Sequence, residues 1–585
     1  MAALPSPPQL DADTVLAPAH APMVHRMRLI FWAFAFIAGF AQAWDTRQSM
    51  NSDGISYLDM SDAYLHGGWK MLINGHWSPF YPWLLAVARS VVKPSSYWEF
   101  TVVHLVNFVL FLLAFAAYEL MLREFIRVRD SDPDCRDGGV ALPEWALRLI
   151  AYLVFLWLSL ALITLERASP DMLMSVFVYL ATTVILKIRG GWNGWRAFAL
   201  LGLILGFGYI AKTAMFPLAL VFLAVALLST ERPMRAIPRL LLAASLFLLV
   251  SLPLLAGLSK MTGHFSIGDS GRWTYLTEVN QTGPLWYMQD LGTARGKFQH
   301  PPQKIFTFPP VYAFVGPIGG TLPAWYDPFY WSQGAEPRLV LRRQLTAVVK
   351  NATLCLDLLF TREAALLAAF LILCVAGRTW ATLRAFLRLW PVWVPTLAAV
   401  CMYLQVLVQE RYVAVFYIVM WTALFASVRL FAGAESGKLV AGATFAILFA
   451  VGLPLAVATV EDLEHGMRRS RHPQWEIAEH LRIMGVHPGD RVGRIGGAHR
   501  IEWARLLRVR VIAEISREDA EYFWSSSPSV RSEVIESFRR VGATAIVAHQ
   551  IPPAEIFVVP SGWQRIADSD FYAFRLNAPN HVAQP

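Results

Sequence analysis

At 585 residues the chain is too long for one compact core, and 56% hydrophobic against 16% charged residues is far from soluble composition. With a mean hydropathy of +0.43, an ordinary soluble protein is excluded. Aromatic residues at 13% exclude disorder, and the short alternating segments of a β-barrel are not seen. The formal charge of +9 does not point to nucleic acid, because Lys and Arg are spread through short loops between apolar runs.

The chain opens on a Pro- and Ala-rich leader with no apolar core before Leu29, so residues 1–25 are expected to be a disordered cytoplasmic tail. The first span then serves as an uncleaved targeting signal. Apolar runs between charges predict about eleven spans, near 29–44, 98–121, 146–164, 172–187, 197–211, 213–230, 240–259, 364–382, 389–408, 412–429 and 439–460. Between the first two, Pro79 to Val92 is too short for a full crossing, and a re-entrant or interfacial helix is expected there.

Arg123, Arg127, Arg129 and Arg136, then Lys187, Arg189 and Arg196, then Arg232, Arg235 and Arg239, then Arg378, Arg384 and Arg388 fall in alternate loops. The positive-inside rule puts those loops and the N-terminus in the cytoplasm, and an odd number of spans leaves the C-terminus outside. Three long segments then lie on the outer face: 45–97, 260–363 and the tail from 461. The second is rich in Trp, Tyr, Pro and Gly, as in GGTLPAWYDPFYW, which suits an aromatic loop at the headgroups or lining a sugar groove. From about Arg471 helix-like and strand-like runs alternate, so residues 461–585 are expected to form a small soluble α/β domain. Gly493, Gly496 and Gly497 lack dinucleotide-fingerprint spacing and read as a tight turn. Four Cys, with Cys135 alone in a polar loop, form neither a disulfide framework nor a metal spacing.

The most informative stretch is SDGISYLDMSDAYLHGGW, Ser52 to Trp69, directly after the first span. It reads as an amphipathic helix with Tyr57, Met60 or Ser61, and Tyr64 on one face, as an interfacial helix would have. At its start, Ser52 or Asp53 can cap the helix. Glu166 and Asp171 sit in the short outer loop after the third span, where a solvated turn with Asp171 at a helix N-terminus is the simple reading. Lys212 separates two apolar blocks and Arg411 begins another. Snorkelling is the simple reading of the first, and pairing with Glu410 or marking the span end that of the second. His76 and His104 read as hydrogen-bonded structure.

An acid after the first span, then Tyr57, Ala63, Leu65 and Gly67 at these spacings, then NGHWSPFYPWLLA, resembles the first outer loop of the GT-C superfamily of membrane glycosyltransferases. The chain is most similar to its protein O-mannosyltransferase and aminoarabinose transferase-like branch. The resemblance continues through LERASPDMLMSVFVYLAT with Ser169-Pro170-Asp171, GLILGFGYIAKTAMFPL around Lys212, and Glu410-Arg411-Tyr412, covering residues 26–460. The family usually has two adjacent prolines where this chain has Ser78-Pro79-Phe80, and often an Arg where it has His104.

The resemblance implies a polytopic α-helical GT-C-like domain carrying an inverting glycosyltransferase. Its donor would be a polyprenyl-phosphate sugar, its acceptor a lipid, glycan or protein on the outer face. Asp53 would be the general base, and Glu166 and Asp171 would orient the acceptor or hold a divalent cation, Mg or Mn. Lys212 and Arg411 would bind the donor phosphate, with Tyr57, His76 and Tyr412 as further candidates. The abundance of Arg and Ala over Lys points to a bacterial inner membrane with a periplasmic active face. A lipid or glycan transporter is the alternative, for which internal repeats and charges at the midplane are the expected marks.

Overall fold

The computed structural model describes residues 21–131, 139–283, 289–469, 471–497, 500–549 and 560–576. Most of the expected leader and Cys135 lie outside these.

Each of the eleven predicted apolar runs is largely helical, and 364–382 spans a break at Gly377 and Arg378 between two helices. The first half runs α1 (Ala21–Asp45), α2 (Ser52–His66), α3 (Phe80–Val92), α4 (Glu99–Asp130), strand β1 (Gly139–Ala141), α5 (Glu144–Leu158, extended by a π-turn over Ser159–Ile163), α6 (Asp171–Arg189), α7 (Trp195–Ala211), α8 (Met215–Leu228) and α9 (Pro233–Thr262). Among the described residues six helices are long and apolar enough to cross a bilayer, or up to eight if each of two bent pairs is one span. α7 and α8 are shorter apolar helices. So is α3, which at 13 residues extends about 20 Å, short of a bilayer core of about 30 Å.

The helices pack through a shared core of Phe111, Phe115, Tyr118, Tyr152, Phe155 and Tyr179, contributed by α4, α5 and α6. α7 and α9 approach so closely that a Cβ on Gly202 would lie 2.2 Å from the carbonyl oxygen of Ala243. On α9, Leu241, Leu248, Leu249 and Leu252 point outward, as on a lipid-facing surface.

The long segment after α9 holds short elements: α10 (Ser270–Thr274), β2 (Arg295–Gly296), β3 (Gln303–Phe306), β4 (Val311–Ala313), α11 (Pro323–Tyr326), α12 (Pro328–Ser332) and β5 (Ala335–Glu336). Helices resume with α13 (Leu341–Asp357), α14 (Ala364–Ala376), α15 (Thr379–Arg388), α16 (Trp390–Leu404), α17 (Glu410–Ser427), then β6 (Arg429–Phe431), α18 (Ala434–Ile447) and α19 (Leu453–Arg468). The C-terminal segment follows as α20 (Pro473–Ile483), β7 (Arg491–Ile495), α21 (Glu502–Leu507), β8 (Arg510–Ile515), α22 (Ala520–Ser525), α23 (Pro528–Arg540), β9 (Ala545–His549), β10 (Trp563–Arg565) and β11 (Phe571–Arg575).

β7 pairs in parallel with β8 and β9, as expected of apolar strands separated by helices. Gly496 and Gly497 leave β7 in left-handed conformation, at φ 73° and 67°, forming the tight turn expected there. The sheet does not stop at the C-terminal segment. Its order is β10-β11-β9-β7-β8-β4-β3, so a hairpin from the segment after α9 adds two strands, with Tyr312 opposite Glu514 and Ala313 opposite Ala513.

α2 departs from the expected interfacial helix. Ser52 through Ser61, except Asp53, and Ala63 are buried, so it is enclosed on nearly all sides. The capping expectation is also corrected, since the N-cap is Asn51, with no side-chain hydrogen bond, and Ser52 and Asp53 lie within the first turn.

Candidate active site

Four helix junctions converge on one end of the bundle: α1 to α2, α5 to α6, α7 to α8 and α16 to α17. They enclose a cavity of about 940 Å³ lined by Asp53, Tyr57, His76, Glu166, Asp171, Lys212, Arg411 and Tyr412, with Trp273 and Trp325 from the aromatic segment. At the far end of the long helix α4, Arg127, Arg129, Arg189, Arg388 and Arg429 line a separate pocket. The basic loops and the cavity thus occupy opposite ends.

Asp53 is placed by the chain turning sharply out of α1 into α2. Its Oδ1 accepts a hydrogen bond from Trp325 Nε1 at 3.0 Å, and its Oδ2 lies 3.4 Å from Arg411 NH2. Asp171 starts α6 and is 4% exposed, so the solvated-turn reading is corrected. Its Oδ1 is paired with the Lys212 ammonium, and its Oδ2 is 3.6 Å from Arg411 Nε. Lys212 is drawn inward to this acid, and Arg411 bridges Asp53 and Asp171. Glu410 pairs instead with Arg362, at 3.5 Å.

Tyr412 forms a base beneath the two cations: its ring centroid is 3.9 Å from Lys212 Nζ and 5.1 Å from the Arg411 guanidinium carbon. Gln409 Oε1 accepts from Arg411 Nε at 2.9 Å and fixes the guanidinium plane. Tyr57 packs edge-on against Trp77 and Tyr81. Burial, with Asp53 next, pushes its hydroxyl well above its ordinary value, so it stays protonated.

Glu166 lines the cavity as an exposed side chain, its own N–H bonded to Thr164 Oγ1 at 3.0 Å, and is not drawn into the paired cluster. His76 is packed against Trp77, Trp273 and Trp325, and burial holds its imidazole down at about 3, so it is neutral. His104 lies outside the cavity lining, with its ring nitrogens 2.9 and 2.8 Å from the carbonyl oxygens of Leu165 and Ser49. It ties the two turns that carry Asp53 and Asp171.

Asp53 and Asp171 already face two cationic side chains, so the four charges cancel, and among the described residues no group of three or more His, Cys, Asp or Glu side chains is gathered for a metal. Lys212 and Arg411 line the cavity beside the two acids that pair with them.

Sequence reasoning missed Trp325, Gln409, Arg500 and Glu502, all of which line the cavity. Trp325 lies in the aromatic segment singled out for a sugar groove, but nothing local marks which aromatic meets Asp53.

A second charged cluster lies behind α2. Arg505, 2% exposed, bonds Asp59 Oδ1 at 2.8 Å, Asp62 Oδ2 at 2.6 Å, and both oxygens of Glu99 at 2.7 and 2.9 Å. Arg89 and Arg508 complete the balance of three acids and three arginines. Asp59 also accepts from the Thr321 N–H and hydroxyl. Against burial that would raise it, Asp62 is held well below the usual carboxylate range by Arg505, Arg89 and Arg508.

No family model matches the chain, and no curated protein matches it. Among solved structures it is similar to the Archaeoglobus fulgidus oligosaccharyltransferase in complex with zinc and sulfate (TM-score 0.47, 12% identity, 89% of this chain and 67% of that one). It is also similar to AglB of that organism with an inhibitory peptide and dolichol-phosphate (0.46, 11%, 89% and 70%). A third is ArnT from Cupriavidus metallidurans bound to undecaprenyl phosphate (0.41, 13%, 97% and 100%). These are proteins of the superfamily that the first-loop pattern resembles. At such scores the likeness is one of outline, and the chemistry rests on this chain's own residues.

Proposed function

We propose that the chain is an inverting glycosyltransferase of GT-C type that moves a sugar from a polyprenyl-phosphate donor to a lipid, glycan or protein acceptor. It would work on the outer face of a bacterial inner membrane, with the N-terminus cytoplasmic and the C-terminal α/β segment periplasmic. The observation that carries this reading is the pairing of Lys212 and Arg411 with Asp53 and Asp171 in one cavity at the ends of apolar helices. Cations at that depth suit the phosphate of a lipid-borne donor, which supplies membrane access and leaving group together.

The acceptor oxygen attacks the anomeric carbon, its proton passes to Asp53, the bond from that carbon to the phosphate oxygen breaks, and polyprenyl phosphate leaves. Lys212 and Arg411 take up the charge that grows on the phosphate, while Asp171 holds both cations in place. Trp325 keeps one oxygen of Asp53 engaged, so the carboxylate presents a fixed face. A single displacement inverts the anomeric centre.

The test is release of polyprenyl phosphate from a panel of polyprenyl-phosphate sugars by the purified chain in lipid, with Asp53→Asn beside it. Turnover with one sugar, reduced about 10²–10⁴-fold by the substitution, is the expected result. Equal turnover would remove Asp53 from the chemistry. No turnover or donor binding with any sugar would sink the enzyme reading and favour a lipid or glycan transporter.

A further inference from the structure

Glu502 is an acid that the reaction above leaves unused. It opens α21 in the C-terminal segment and lines the same cavity as Asp53, and its Oε2 is closed off from solvent and makes no hydrogen bond. Buried polar atoms are nearly always paired, so an unpaired carboxylate oxygen on a residue that lines a cavity calls for a donor from outside the chain. Its position is fixed by the buried charge cluster. Three residues further along α21, Arg505 is wedged among Asp59, Asp62 and Glu99, and Asp59 and Asp62 belong to α2, the helix that Asp53 begins. Glu502 is therefore held in register with Asp53 through two rigid helices. Burial pushes its carboxyl up to about 7, with a hydrogen bond from its own backbone N–H, then Arg500 and Arg494, pulling the other way. The group is neutral below that value and a carboxylate above it.

We propose that Glu502 is the acceptor-side carboxylate of this site, binding a hydroxyl or amine of a sugar-like acceptor so that the attacking hydroxyl is delivered towards Asp53. The proposal rests on the glycosyltransferase reading. An O–H or N–H group supplies the donor that Oε2 lacks, whereas a phosphate or carboxylate of the acceptor in that place meets like charge. Glu502 thus selects an acceptor whose near end is a polyol or amino sugar.

Two measurements test this. Dicyclohexylcarbodiimide, which attacks protonated carboxyls in apolar surroundings, is reacted with the wild-type chain in lipid across about pH 6 to about pH 8, and the Glu502 peptide is read by mass spectrometry. Labelling that falls as pH rises through about 7, and is blocked by millimolar glucosamine or glucose but not by undecaprenyl phosphate, is expected. In parallel, sugar transfer from the donor found in the panel to a total membrane extract is followed for wild type, Glu502→Gln and Glu502→Asp. The Gln variant should bind undecaprenyl phosphate as wild type does, raise the apparent acceptor KM about tenfold or more, and lose the limb of the pH profile near 7. The Asp variant should recover part of both.

Wild-type KM and pH profile in the Gln variant would overturn the proposal, and so would weakened undecaprenyl phosphate binding, which would place Glu502 on the donor side. Absence of Glu502 labelling at any pH would overturn it without reference to a variant. Failure of the wild type to turn over any donor is a separate result, and it removes the parent reading.

Discussion

Arg411 sets the charge state of the whole cluster. Its NH2 and Nε reach Asp53 and Asp171 at 3.4 and 3.6 Å, a span that the planar guanidinium can bridge and a single ammonium cannot. Arg411→Lys should therefore behave as a loss: undecaprenyl phosphate affinity, measured by equilibrium binding in lipid, falls about tenfold or more and turnover falls with it. Binding and turnover within twofold of wild type would show that the bridge is dispensable. Asp53, Asp171, Lys212 and Arg411 were singled out because the motifs that carry them resemble GT-C loops, whereas position alone read them as a cap, a solvated turn, a snorkelling cation and the end of a span. Glu502 was not, since IEWARLL reads as an ordinary amphipathic turn until its neighbours in space are known.

At the level of elements, the helix after the first span is the one whose environment the sequence misrepresented. Tyr57 and Tyr64 suggested a wet face and a greasy one, yet α2 is enclosed because the aromatic segment, α3 and α21 close over it, and no local pattern encodes those distant neighbours. Its first turn is packed tightly: a Cβ on Gly54 would lie 2.3 Å from Met50 Sδ and 2.6 Å from the Ala168 side chain. Gly54→Ala should push the start of α2 away from the turn before Asp171 and so separate the two acids. The expected outcome is a folded protein with turnover reduced at least about tenfold and a thermal midpoint lowered by an overpacking cost of about 1–3 kcal/mol. Unchanged turnover would mean that the neighbours of α2 yield without moving Asp53. By contrast, the apolar runs were located as helices, although α1, α4 and α9 extend seven to nine residues past them and the run 364–382 spans the break between α14 and α15.

For the whole molecule, the alternation of helix and strand after residue 471 was visible, but the completion of its sheet by β3 and β4 was not. Those strands are short, sit in a segment dominated by Pro, Gly and aromatics, and pair with a strand about two hundred residues later. Together with Arg505, this pairing couples the C-terminal segment to the helix that carries Asp53. Arg505→Ala would leave Asp59 buried without the cation that pairs with it, while Glu99 keeps Arg89 and Arg508, at a cost of about 3–5 kcal/mol. It should make the chain after residue 469 more readily cut by protease and abolish turnover, although Arg505 lies behind the cavity lining. Retained turnover with the segment cleaved would show that the spans hold the site alone.

The shared sheet also sets the terms on which this chain can be recombined with a relative. A graft of residues 471–576 alone would bring β8 without the β4 edge it grew against, and α21 without the acids that seat Arg505. The smallest exchangeable piece is therefore discontinuous: the hairpin at 303–313, the acidic face of α2 with Glu99, and the C-terminal segment have to travel together. Crossovers placed at the apparent boundary after α19 are expected to yield chains that reach the membrane but carry no assembled site.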